Sequence, residues 1–283
     1  MTLDLGVLAL VLLAAALHAS WNALVKAGGD RLAVLAITMG APSLLLWLVL
    51  PFVPLPAAAA WPYLFASVVI HTAYYACLIH AYRHGDLSQV YPIARGTAPL
   101  LVAAGAWVLA GEALSPAELA GVLILCGGIV SLAWRRNGPT HDGEVKAVGF
   151  ALLTSLMIGL YSVTDGLGVR RAGTAAGYIL WLFAIEGLPL LFYALWRRRG
   201  RIRAAFAPSL KAGLGGAVIS CLAYGIVIWA MSLGPMAHVV ALRETSVIMA
   251  AALGALVLKE PFGRRRMAAA AVVAGGAVLL QAG

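Results

Sequence analysis

Long apolar runs, each closed by a short polar or turn-forming stretch, recur ten times along the chain. A helix that crosses a hydrocarbon core of about 30 Å needs about 20 mostly apolar residues. Ten segments meet that need: 4–25, 33–53, 62–82, 88–109, 117–134, 147–169, 175–196, 209–232, 237–258 and 265–281. The breaks between them include "KAGGDR", "RHGD", "AGEALSPAE", "RRNGPTHDGEVK", "RRRGRIRAAFAP" and "KEPFGRRR". The pattern predicts an all-α integral membrane protein with ten transmembrane helices and no soluble domain of useful size on either side.

The runs repeat. Arg95 precedes Glu112 by 17 residues, and Arg243 precedes Glu260 by 17. The intervening stretches "GTAPLLVAAGAWVLAGE" and "ETSVIMAAALGALVLKE" are alike, and so are their flanks, "AYRHGDLSQV" with "AMSLGPMAHV" upstream. This register implies two five-helix repeats, residues 1–136 and 147–283, joined by a polar linker at 137–146. An odd number of spans per repeat inverts the second relative to the first, an arrangement common in transporters, where the two halves surround a central cavity.

Composition and charge sharpen the picture. The chain is 63% hydrophobic and 11% charged, against about a quarter charged in soluble domains. Its net charge of +9 is not a nucleic-acid signature, because the basic residues sit in short loops between apolar runs. Sixteen lysines and arginines fall in the odd-numbered loops, whereas the even-numbered loops hold only Arg170 and Arg171. The positive-inside rule then puts the odd loops in the cytoplasm and both termini on the periplasmic side of an inner membrane. The first run continues into "HASWNALVK" without a small-residue cleavage pattern, as a membrane helix does and a signal peptide does not. Cys77, Cys126 and Cys221 lie far apart within apolar runs and suit buried small side chains rather than disulfides or a metal site.

With its five-helix repeats, a proline-interrupted fourth helix ending in "GE", the "KE" counterpart after the ninth and glycine-rich fifth and tenth helices, the chain resembles the ten-helix EamA-type branch of the drug/metabolite transporter superfamily. The opening "HASWNALVK" resembles a subset associated with phosphonate use. The resemblance implies a secondary transporter, most of the family being exporters of amino acids and other small metabolites.

The chemistry-bearing residues lie inside the spans. In "VYPIARGTAP", Arg95 stands between Pro92 and Pro99, about 10 Å into the fourth segment at 1.5 Å per residue. Arg243 sits at a similar depth in the ninth, entering from the opposite face, so the two arginines flank the midplane. A buried charge costs at least about 2.5 kcal/mol unless paired or hydrated. Prolines remove helical hydrogen bonds, and freed backbone is tolerated at membrane depth only against protein or a watery cavity. Arg95 and the helix-breaking prolines therefore point to one polar cavity, the alternative being a structural ion pair with kinks that serve packing.

Three acids are candidates for proton coupling: Glu186, near the middle of "LWLFAIEGLPLLF", Asp165, and Glu244, which adjoins Arg243 at a helical direction about 100° away. Trp21, with His18 and Asn22 at i, i+4, forms one face of the first helix, and His71 and Tyr75 share a stripe on the third. Tyr91, Trp181 and Tyr224 add polar-edged rings. All are candidates for lining the substrate cavity. The histidines lack metal-ligand spacing, so neither metal nor cofactor is expected, and the absence of GxxxxGK[ST] argues against nucleotide hydrolysis.

The expected function is transport of amino acids or similar zwitterionic or anionic metabolites by alternating access, with protons as a candidate coupling ion and the lipid bilayer as surroundings. Monomer and homodimer are both compatible. The alternatives are a carrier of an organophosphorus compound, a cationic drug exporter, which the arginines disfavour, and a non-transporting scaffold, which has little use for inverted repeats. Intramembrane enzyme chemistry lacks its carboxylate pairs or metal motifs.

Overall fold

The structure, a computed structural model, describes residues 3–27, 30–84, 87–133, 142–250 and 264–283. Most of the interrepeat linker and the "KEPFG" turn with Glu260 lie outside the described residues. What is described is helical, with no strand. The helices are α1 (Leu5–Ala27), α2 (Arg31–Leu45), α3 (Trp61–His84), α4 (Leu87–Gly96), α5 (Ala98–Ala110), α6 (Pro116–Ser131) and α7 (Asp142–Arg171). They continue with α8 (Ala175–Glu186), α9 (Leu188–Arg197), the single turn α10 (Ile202–Phe206), α11 (Leu210–Leu233), α12 (Met236–Glu244) and α13 (Arg264–Ala282).

Six stretches among the described residues are long and apolar enough to cross a membrane: Arg31–Leu48, Ala58–His84, Val90–Ala110, Glu144–Arg171, Ala175–Arg197 and Leu210–Leu233. Leu5–Trp21 and Pro116–Ser131 are shorter apolar helices. Large side chains such as Leu5, Phe52, Trp107, Val108 and Val218 point outward and are exposed. On a chain of this composition, a perimeter so apolar is solvated by lipid tails rather than water. This is a multi-pass membrane protein.

Four of the apolar segments are not single helices among the described residues: the second passes from α2 into short 3-10 turns at Leu46–Leu48 and Leu50–Phe52. The fourth breaks at Thr97, between α4 and α5. Pro92 does not make that break, because α4 runs through it. Pro99 instead occupies the first turn of α5, where its missing N–H would have had no helical partner in any case. The ninth breaks at Thr245, between α12 and helical backbone that resumes over 246–250.

The seventh segment breaks at Gly187, directly after Glu186. Ser43 of α2 repairs the freed backbone: its hydroxyl donates to the Phe183 carbonyl at 2.6 Å and accepts from the Gly187 N–H at 3.0 Å. Glycine is required there, since a Cβ would lie 2.0 Å from the Met39 carbonyl oxygen.

The main core is built from α1, α3, α5, α7, α8, α11 and α12, with Val11, Leu64, Tyr178, Leu182, Ile228 and Met236 fully buried. α3 packs along α7, and α1 along α11. α6 lies against α13 inside the same molecule, so the glycine-rich ends serve packing within the monomer. Their backbones nearly touch: a Cβ on Gly121 would sit 2.6 Å from Leu280 N, and one on Gly276 2.6 Å from Leu125 N. Small residues permit such an approach between membrane helices.

The loops pair by face. Arg170, at the end of α7, meets Glu112 Oε1 at 2.5 Å and donates to the carbonyls of Met231 at 2.8 Å and Gly234 at 2.7 Å. Glu112 Oε2 in turn accepts from the Met236 N–H at the start of α12 at 2.8 Å. Nearby, Gln281 donates to the Leu3 carbonyl, and Ala57 N to the Ala172 carbonyl. On the other loops, Asp30 caps α2 through Leu32 N and Ala33 N and pairs with Arg198 at 2.7 Å. Burial opposes the charge of Asp30, but the Arg198 guanidinium and the two backbone donors outweigh it and hold the carboxyl below the usual carboxylate range.

Candidate functional site

Where the broken helices meet, side chains from α1, α2, α3, α4, α7, α8, α11 and α12 enclose a cavity with about 60 Å³ of free space. At roughly 10–15 Å³ per water, that holds about five water molecules. Arg95 from α4 and Arg243 from α12 supply cationic groups to its lining, and Glu186 and His71 supply a carboxyl and an imidazole. His18, Trp21, Tyr75 and Tyr224 complete the expected lining.

Each arginine is placed by its helix break. Arg95 and Arg243 lie two residues before Thr97 and Thr245, in the last turns of α4 and α12. Thr97 is anchored by its hydroxyl, 2.9 Å from the Ile93 carbonyl and 2.6 Å from Ser155 Oγ. The short helices bring both guanidinium groups onto one carboxylate. Glu244 Oε2 lies 2.6 Å from Arg95 Nε, and Glu244 Oε1 accepts from Arg243 Nη2 at 3.0 Å and Nε at 3.2 Å. All three side chains are buried, Glu244 completely. Removing a charged group from water is tolerable only with such pairing, yet two cations share a single anion. Arg95 Nη2 has no hydrogen-bond partner among the described residues, although it is buried.

Glu186 closes α8 just before the Gly187 break. Its Oε2 lies 3.7 Å from His71 Nε2, too far for a hydrogen bond, and has no hydrogen-bond partner among the described residues. His71 is held through Nδ1, 3.0 Å from the Ser67 carbonyl and 3.1 Å from Ser67 Oγ, and stacks on Tyr161 at 4.1 Å between ring centroids. Trp21 Nε1 donates to His18 Nδ1 at 3.1 Å, which sets that pair edge to face.

Several expected residues lie elsewhere. Asp165 is fully buried behind the wall, its Oδ1 accepting from Tyr178 at 2.9 Å and its Oδ2 from Tyr224 at 2.5 Å. Tyr91 packs against the α6–α13 cluster. Trp181 stands edge-on to Trp47 and Trp61, at 6.0 Å and 5.2 Å. Neither ring borders the cavity. Glu244 is spent on the two arginines and does not line it. The side chain of Asn22 lies outside the described residues.

The lining also includes residues the sequence reading did not single out: Thr38, Met39 and Pro42 of α2, Phe183 of α8, and Ser220 and Cys221 of α11. Pro42 offered a signal, as a proline inside an apolar run like Pro92. No group of three or more histidine, cysteine or acidic side chains able to hold a metal occurs among the described residues.

A helical membrane protein with a polar, charged cavity between broken helices has the architecture that solute carriers use. The comparisons narrow that class. Residues 145–281, the second half of the chain, match the EamA-like transporter family. An uncharacterized protein of Pseudomonas aeruginosa, PA1977, is 30% identical over 180 residues, covering 62% of this chain and 59% of that relative's length. A solved structure described only as the crystal structure of a protein superposes with a TM-score of 0.71 at 18% identity, covering 96% of this chain and 94% of the other. That likeness bears on fold alone. The family is one of membrane transporters.

Proposed function

We propose that this protein is a secondary transporter that moves amino acids or similar small zwitterionic or anionic metabolites across the inner membrane by alternating access. The observation that carries the reading is the pair of buried arginines sharing one carboxylate, both lining the cavity, with Arg95 Nη2 left without a hydrogen bond among the described residues. A substrate carboxylate supplies the missing acceptor and balances the surplus charge. Glu186, which lines the same cavity, then offers a carboxyl to a substrate ammonium, among rings that suit a cation.

Ten crossings and an inverted repeat are part of this reading. The loop contacts support them: Glu112, Arg170 and Gly234 all come from even-numbered loops, and Asp30 and Arg198 from odd ones. A helix that failed to cross would mix the two sets. The breaks support the repeat, since each falls two residues after its arginine, at Thr97 and Thr245. The positive loops then lie in the cytoplasm and both termini in the periplasm. Glu186 is the coupling candidate, because it lines the cavity and its buried Oε2 has no hydrogen-bond partner among the described residues, while both oxygens of Asp165 are occupied.

The test is counterflow in proteoliposomes with labelled amino acids, an aminophosphonate, a phosphorylated metabolite and a quaternary cation, each with and without a pH gradient. Exchange of a zwitterion or anion is the expected result, with accumulation under a gradient if protons are coupled. Movement of the cation alone would remove the arginines from the mechanism.

A further inference from the structure

The cluster of Arg95, Arg243 and Glu244 is asymmetric in a way the repeat makes visible. In the 17-residue register that aligns Arg95 with Arg243, the position of Glu244 corresponds to Gly96. Gly96 has no space for a side chain, since a Cβ there would lie 2.8 Å from Val130 Cγ2 and 3.0 Å from Ile129 Cγ2. Only one half can therefore supply a carboxylate, and two guanidinium groups share it. Both oxygens of Glu244 are used, Oε2 on Arg95 and Oε1 on Arg243. The other acids nearby have other neighbours, Glu186 beside His71 and Asp165 between Tyr178 and Tyr224. The neighbouring tyrosine hydroxyls are neutral near pH 7. The arginine cluster thus carries one surplus positive charge.

We propose that Glu244 is a specificity-determining residue: by holding that surplus at one, it selects a singly charged head, a carboxylate, over a doubly charged phosphonate or phosphate. This rests on the transport reading above and deepens it. A carboxylate brings the cluster to neutrality, whereas a dianion leaves one uncompensated negative charge beside Glu244 in a buried site. Once the first charge of the head has matched the surplus, the second must leave water with no counter-charge of its own, a desolvation penalty expected to cost at least about tenfold in affinity. The first-half glycine and the second-half glutamate together set the valence of the substrate.

Matched pairs isolate the head group: alanine with 1-aminoethylphosphonate, and phenylalanine with its aminophosphonate analogue, at pH 7.5. A phosphoryl-type head is largely dianionic there, its second ionisation lying near about 6. Counterflow of wild type is expected to favour the carboxylate of each exchanged pair by at least about tenfold. Glu244→Gln raises the surplus to two and is expected to shift that ratio at least about tenfold toward the phosphonate. Glu244→Asp keeps the charge and is expected to keep the wild-type ratio. Equal acceptance of both heads by wild type, or an unchanged ratio in a transporting Glu244→Gln, overturns the proposal and leaves the transport reading intact. If Glu244→Gln does not fold, the wild-type ratio decides. If wild type exchanges neither head, the transport reading itself fails.

Discussion

Arg170 holds one face of the molecule shut, and removing it should open a path to the cavity. Its guanidinium pairs with Glu112 at 2.5 Å and donates to the carbonyls of Met231 and Gly234, tying the ends of α5, α7 and α11 to the start of α12. Charge-assisted hydrogen bonds contribute about 1.5–3 kcal/mol each when buried. Here the side chains are 29% and 18% exposed, so solvent screening reduces the sum, and about 2 kcal/mol is a fair value for the latch as a whole. That corresponds to about a thirtyfold shift in the balance between closed and open at this face.

The chain supplies its own reporter in Cys221, which lines the cavity. With Cys77 and Cys126 replaced by serine and alanine, a membrane-impermeant thiol reagent applied to the face of the even-numbered loops reads access to Cys221 directly. Arg170→Ala should raise that labelling rate about thirtyfold, and Glu112→Gln should raise it by less, because the two carbonyl contacts remain. Equal rates in Arg170→Ala and the parent would refute the assignment of the latch as a gate.

Two further expectations follow from local geometry. Ser43→Ala removes the hydroxyl that donates to the Phe183 carbonyl and leaves the Gly187 N–H with the Ile185 carbonyl alone, at roughly 1–3 kcal/mol for a buried group that loses its partner. A clearly lower melting temperature in detergent is expected, and an unchanged melt would mean that other groups satisfy the α8–α9 break. Asp30→Asn keeps the cap on α2 but loses the pair with Arg198. Because the folded carboxyl titrates below its unfolded value, its contribution is present above about pH 4 and lost as pH falls through the folded value. Wild type should be more stable than Asp30→Asn by up to about 1 kcal/mol near pH 7, with the melting temperatures converging toward pH 3. A difference that grows on acidification would contradict the sign.

Much of the architecture could be read from apolar period and breaker residues, because lipid leaves a backbone few options besides helix. The segment at 62–82 corresponds to α3, and 209–232 to α11, within a residue or two. The break in the seventh segment escaped that reading. "IEGLP" carries both Gly187 and Pro189, the same kind of signal as "RGTAP", but Glu186 drew attention to depth rather than to backbone. The shared carboxylate was also hidden. The sequence put Glu244 next to Arg243 at a helical direction about 100° away, but nothing in it showed that Arg95, from the other repeat, meets the same carboxylate. Periodicity alone could not tell which ring borders the cavity. Tyr75 and Tyr224 do, while Trp181 belongs to an aromatic stack with Trp47 and Trp61.

The arginine-bounded cavity as the place where substrate binds is tested most directly by counterflow of Arg95→Gln, with a thermal melt to establish folding. Glu244 keeps Arg243 as a partner in that variant, so the cluster remains paired. For any zwitterion or anion that wild type exchanges, the half-saturating concentration should rise about thirtyfold or more, the loss expected when one partner of a buried charge contact is removed. Unchanged transport by folded Arg95→Gln would contradict the account and return Arg95 to a purely structural role.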